Sequence, residues 1–201
     1  MTLFAFHVVV IVLGILSMGF QLLASRLLNP HFGSSIIVWA WLISTFLAAF
    51  SIGSMVGGWI SNLGPVGRRR GQLIGTGTAL VTLAITALAA KPLLNLIEEH
   101  ITDPSWSLFV SCVGIFFLPV TALSTFGPQC VQFLAGRGTP PGKASGVVYG
   151  VSTLGNIAGV MLTAFVLIPH LPVSTLLYLW LGVAAVSLAA LVVLLRPASA
   201  S

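Results

Sequence analysis

Arg26 is the one charged side chain inside a long apolar run of this 201-residue chain, and the polar residues sharing such runs align on two segments. At 100° per residue, His7, Gly14, Met18, Gln21 and Ser25 fall within about 40° of one line on a helix. Ser107, Gly114, Thr121, Thr125 and Gln132 form a second such line, and Gln129 belongs to the same segment. Hydroxyls and amides exchange hydrogen bonds with a solute, and a guanidinium attracts a carboxylate or phosphate through two parallel bonds. None of these groups forms a nucleophile–base pair. Cys112 and Cys130 are 18 residues apart on one segment, ~27 Å along a helix, so they cannot bond within the chain and read as small packing residues. His31, His100 and His170, with Glu98, Glu99 and Asp103, lack the tight spacing of a metal site. The chemistry to expect is recognition of a solute, with no enzyme activity, cofactor or metal.

The elements that must hold these residues are set by composition. Hydrophobic residues make up 57% of the chain and charged ones 5%, against roughly 25% charged in a soluble domain. The three acids fall in the window 98–103, and five of the eight basic residues fall in two other connections, Arg68–Arg70 and Arg137 with Lys143. Ionised side chains are costly in hydrocarbon, so they collect where the chain leaves the bilayer. Six apolar stretches, each near the ~20 residues that a span needs, are expected at about 4–28, 36–60, 72–90, 106–134, 145–167 and 175–195. Asn29-Pro30, Gly64-Pro65, Pro92, Pro140-Pro141-Gly142, Pro169 and Pro172 punctuate them. The first stretch is too long for a cleavable signal and lacks a basic n-region. One domain over 1–197 with a short tail, 198–201, is expected.

If six helices alternate, Arg68–Arg70, Arg137, Lys143 and Arg196 lie on one side and the acidic window on the other. Basic loops favour the cytoplasm, which predicts both termini there. The net charge of +5 follows from this topology, and no nucleic-acid partner is expected.

Glycines recur four residues apart at Gly53 and Gly57, Gly146 and Gly150, and Gly155 and Gly159. Such pairs let helix backbones approach closely where lipid supplies no hydrophobic drive. These six glycines are the expected subunit interface.

Two marked segments carry a resemblance. Gln21-Leu22-Leu23-Ala24-Ser25-Arg26-Leu27-Leu28-Asn29-Pro30-His31-Phe32-Gly33-Ser34-Ser35, with Trp39, Gly53, Gly57 and Gly58, is similar to the membrane domain of the spermidine-synthase-like membrane proteins. The stretch from Gly146 to Gly159, ending at Leu167-Ile168-Pro169, resembles that family's other marked segment. Gly58-Trp59-Ile60-Ser61-Asn62 followed by Gly67-Arg68-Arg69-Arg70 resembles the major facilitator signature, with Asn62 in place of its Asp. Gln21 likewise stands where the family's first helix usually has Glu. The resemblance implies an all-helical membrane protein whose six helices are two inverted three-helix repeats, half of a major-facilitator-like bundle. A half implies a homodimer, with the first and fourth helices lining a cavity on the dimer axis and the second and fifth meeting the partner.

The expectation is therefore a homodimeric half-size transporter in a bacterial inner membrane, moving a small solute by alternating access. The expected solute contacts are His7, Gln21, Ser25, Arg26, Thr121, Thr125, Gln129 and Gln132. With one basic residue and no acid in the spans, an anionic or zwitterionic solute fits better than a polycation. Besides itself and its solute, the expected partner is membrane lipid. The alternative is a non-transporting anchor or scaffold for a separately encoded aminopropyltransferase-like enzyme.

Overall fold

The computed structural model describes residues 2–195, so Arg196 and the expected tail at 198–201 lie outside the described residues. The chain is all-helical, with six helices long and apolar enough to cross a membrane. They are α1 (Thr2–Phe32), α2 (Ile36–Ser61), α3 (Pro65–His100), α4 (Pro104–Ala135), α5 (Pro141–His170) and α6 (Val173–Leu194).

Of the expected breaks, Gly64-Pro65, Pro140-Pro141-Gly142 and Pro172 stand where one helix gives way to the next, whereas Pro30, Pro92 and Pro169 lie inside α1, α3 and α5. Gly33 and Gly138 stop α1 and α4 with φ of 72° and 88°, a left-handed turn that costs glycine nothing. Ser35 caps α2 by accepting from the Val38 N–H at 3.3 Å, and Asp103 caps α4 by accepting from the Trp106 N–H at 2.9 Å. Pro65, Pro104 and Pro141 occupy first turns, where a missing N–H leaves nothing unpaired.

Several helices outrun their expected spans. The 36 residues of α3 reach ~54 Å. Arg68–Arg70, Glu98 and Glu99, expected in connections, therefore stand on the two ends of one helix, and Lys143 stands in the first turn of α5. A helix pairs its own backbone wherever it is, so it need not stop where the apolar run stops.

α4 and α5 each contain one wide π turn, Val113–Phe117 and Thr163–Leu167. Each ends two residues before a proline, Pro119 or Pro169. A proline ring collides with the carbonyl four residues back and offers it no N–H, and widening the preceding turn relieves the collision. At Pro119 the deprived carbonyl is that of Ile115. The Thr86 hydroxyl of α3 donates to it at 3.2 Å.

The core is joined by aromatic and backbone contacts. Phe20 of α1, Phe46 of α2 and Phe116 of α4 form a triangle with ring centroids 5.9–6.4 Å apart. The Trp180 indole N–H of α6 donates to the Leu16 carbonyl of α1 at 3.0 Å. Its ring lies over Gly19, where any Cβ would overlap it. α5 packs on α1 along most of its length, α4 packs on α2 and α3, and α3 closes on α6. The outer surface is studded with large apolar side chains such as Met55, Phe165 and Val186, which suits hydrocarbon and not water.

Candidate functional site

A cleft runs along α1, with α2 on one side and α5 on the other. Two cavities occupy it. The first, of about 230 Å³, lies at mid-helix between Val10, Leu13, Ser17 and Met18 of α1, Phe50 and Ser54 of α2, Ser124 and Gly127 of α4, and Tyr149, Ser152 and Asn156 of α5. The second, of about 310 Å³, lies toward the end of α1, between Leu22, Ser25, Arg26 and Asn29, the Gly33–Ser34 turn, Val38 and Trp39 of α2, and Ala164 and Ile168 of α5. At 100° per residue the α1 positions of the first cavity centre roughly 115° from those of the second, so the two cavities open on adjoining faces of α1.

The mid-helix cavity has a mainly apolar wall that also carries Ser17, Ser54, Ser124, Ser152 and Asn156. The Ser17 hydroxyl donates to its own helix at Leu13, 2.8 Å, and the Ser124 hydroxyl donates to the Ala49 carbonyl of α2 at 3.2 Å. The Asn156 side-chain oxygen is buried and has no partner among the described residues. A buried amide oxygen without a donor is expensive, so this group is poised to accept a hydrogen bond from an occupant. The second cavity carries the charge. Arg26 is exposed and makes no ion pair among the described residues, while the Ser25 hydroxyl donates to the Leu22 carbonyl at 2.8 Å. Together they offer a positive mouth whose donor is the Arg26 guanidinium, and an interior where the Asn156 oxygen is left to accept.

The expected contacts divide accordingly. Ser25 and Arg26 line the cavity at the cleft's end. Gln21 lies one turn from Met18 and from Ser25 but about 140° round α1 from Arg26, and it lines neither cavity. His7 is bonded through Nδ1 to the Leu3 carbonyl at 2.7 Å and lies against Phe6. Thr121 and Thr125 turn away from the cleft into a separate groove of about 440 Å³ between α2, α3 and α4. Gln129 is buried and donates to the Thr125 carbonyl at 2.9 Å, and Gln132 is exposed. The two polar lines therefore do not meet. The line drawn on α4 assumed a constant 100° per residue, and that helix has a π turn at Val113–Phe117 and a break at Thr125. Its cleft-facing residues are Leu123, Ser124, Phe126, Gly127 and Cys130 instead.

The glycines divide as well. A Cβ on Gly53 or Gly57 would strike the backbone of Thr121 or Thr125 in α4, and a Cβ on Gly155 or Gly159 would strike Ile11 or Ile15 in α1. These four positions serve contacts within one chain and are closed to a second subunit. Gly146 and Gly150 face open space. The sequence reading missed Ser54, Ser152 and Asn156. Asn156 had a signal, as the one carboxamide of α5, within the glycine-rich segment that carries the resemblance.

The His31 ring joins Glu98 at 2.6 Å and ties the end of α1 to the end of α3. No group of three metal-ligating side chains exists among the described residues. Comparison of the chain with protein-family models, curated proteins and solved structures finds no match. The fold itself defines the class at its coarsest: an all-helical chain whose six helices could each cross a bilayer.

Proposed function

We propose that this chain is a multi-pass protein of a bacterial inner membrane, with both termini cytoplasmic, and half of a homodimeric transporter for a small anionic or zwitterionic solute. The observation that carries this reading is the cleft along α1, where a mid-helix cavity carrying Ser17, Ser152 and Asn156 is followed by a cavity lined by Arg26, which makes no ion pair among the described residues. Polar groups at membrane depth face a wet cavity or the protein interior. Arg26 draws a carboxylate or phosphate to the mouth, and Asn156 accepts a donor deeper in the cleft. A zwitterion supplies both.

One cleft is a half-site. Its rim carries small residues left open to a second copy: Ser51, Ser54 and Gly58 on α2, and Gly146, Gly150 and Thr153 on α5. Close packing of such faces is how helices associate in lipid. Two copies related by a two-fold axis would set α2 against the partner's α5 and enclose both clefts, in the manner of two major-facilitator halves built from inverted three-helix repeats. Rocking of one protomer against the other would expose the axis alternately to each side.

The test is uptake into proteoliposomes of a panel of labelled amino acids, dicarboxylates and phosphate esters, with polyamines beside them. Saturable uptake of an anion or zwitterion that Arg26→Gln abolishes and Arg26→Lys partly restores supports the proposal. Saturable uptake of spermidine with no uptake of any anion or zwitterion would defeat the electrostatic reading of the cleft.

A further inference from the structure

We propose that the groove at the start of α3 holds an anionic phospholipid, with the phosphate on Arg68–Arg70 and an acyl chain on Leu73 and Leu195. The groove has a volume of about 480 Å³, and Pro65 and Val66 complete its wall. This site needs a bilayer but does not depend on transport.

Among the described residues the charge there is uncompensated. Three guanidiniums occupy the opening turns of α3, whose cap residue Gly64 supplies no side-chain acceptor. A helix start carries the positive pole of the helix dipole, so the fold concentrates like charge where it is least welcome. The chain's three acids are Glu98, Glu99 and Asp103. Glu98 is ~44 Å along the helix from Arg69, several screening lengths away. The Arg68 Nη2 donates to the Leu63 carbonyl at 3.4 Å, while its Nε is buried and unpartnered among the described residues. Arg69 and Arg70 are exposed. An anion from outside the chain neutralises this cluster and accepts its donors.

The rest of the wall decides between a free anion and a lipid. Val66 and Leu73 are 70% and 51% exposed, and with Pro65 and Leu195 they make the remainder of the groove apolar apart from the buried Gln72. A dissolved phosphate gains nothing from those side chains. An amphiphile with its phosphate on the arginines and its chain along Leu73 satisfies both halves, as basic pockets between helices do at a membrane surface.

The test uses delipidated full-length protein in neutral detergent, with lipid retention read by native mass spectrometry. The probes are dioleoylphosphatidylglycerol, dioleoylphosphatidylcholine with the same chains, and inorganic phosphate. The expected result is retention of phosphatidylglycerol over phosphatidylcholine, no uptake of that lipid's site by phosphate, and about 30-fold weaker retention in R69Q/R70Q. Arg68 is left in place because it bonds the Leu63 turn. Equal retention of the two lipids, displacement by millimolar phosphate alone, or unchanged retention in R69Q/R70Q each overturns the proposal. Should that variant fail to purify, Leu73→Ser decides: it lowers phosphatidylglycerol retention if the apolar wall holds a chain, and unchanged retention overturns the site.

Discussion

Gly155→Ala and Gly150→Ala add the same methyl group to the same helix, five residues apart, and should change stability in opposite directions. At position 155 the new Cβ would lie about 3.0 Å from the Ile11 carbonyl carbon and 3.1 Å from its Cα, and closer still to its oxygen. Those atoms are backbone, so no rotamer change makes room, and α1 and α5 must part. Gly14 of α1 lies in the same crossing, with a virtual Cβ 3.0 Å from Asn156 N and 3.1 Å from Gly155 Cα. Overpacking typically costs about 1–3 kcal/mol, and a contact with rigid backbone belongs at the upper end. Alanine returns up to about 1 kcal/mol of helix propensity. The net loss for Gly155→Ala is about 2 kcal/mol. At position 150 the space is open, so only the propensity gain remains. The two variants should differ by roughly 3 kcal/mol. Unfolding of purified protein in mixed micelles titrated with sodium dodecyl sulfate, followed by tryptophan fluorescence, reads the difference because Trp180 packs on α1. Equal stability of the two variants would refute the close crossing of α1 and α5.

Gly150→Leu should leave the protomer folded but weaken the dimer seen by light scattering in detergent, whereas Gly155→Leu should unfold the protomer itself. Thr86→Val removes the donor to the Ile115 carbonyl, which Pro119 cannot supply, and should cost about 1 kcal/mol in the same unfolding assay. In a background lacking Cys112 and Cys130, an impermeant maleimide added outside cells should modify Glu99→Cys and spare Arg69→Cys. The reverse pattern would invert the topology.

The six helices were legible in the sequence because each apolar run is near span length and Gly64-Pro65, Pro140-Pro141 and Pro172 part three successive pairs. The caps at Ser35 and Asp103 and the turns at Gly33 and Gly138 were not read, and Pro30, Pro92 and Pro169 do not end their helices. The reach of α3 was not legible, since charged residues mark where hydrocarbon must end but do not end a helix. Orientation about the helix axis was only partly legible on α1: of the five residues on the expected line, Met18 and Ser25 line the cavities, Gly14 packs on α5, and His7 and Gln21 line neither cavity. It was lost on α4, where Pro119 widens the preceding turn and Thr125 breaks the helix. Glycine spacing revealed close approaches without revealing the partner: Gly155 and Gly159 meet α1 of their own chain, and Gly150, five residues before Gly155 and about 140° round the helix, meets nothing in it. Asn156 stands out only once its oxygen is seen to be buried without a donor.

Access of water to the cleft from both sides of the membrane tests the central claim most directly, and it needs no knowledge of the solute. Ser152→Cys places a thiol in the mid-helix cavity. Val186→Cys places one on the apolar outer face of α6, where the native side chain is 72% exposed. An impermeant, charged thiol reagent is applied to intact cells and to inverted vesicles of the Cys112- and Cys130-free protein. The cysteine at 152 should react in both preparations, and the one at 186 in neither. A cysteine at 152 that resists the reagent from both sides, as 186 does, would contradict transport through this cleft and leave the scaffold reading in its place.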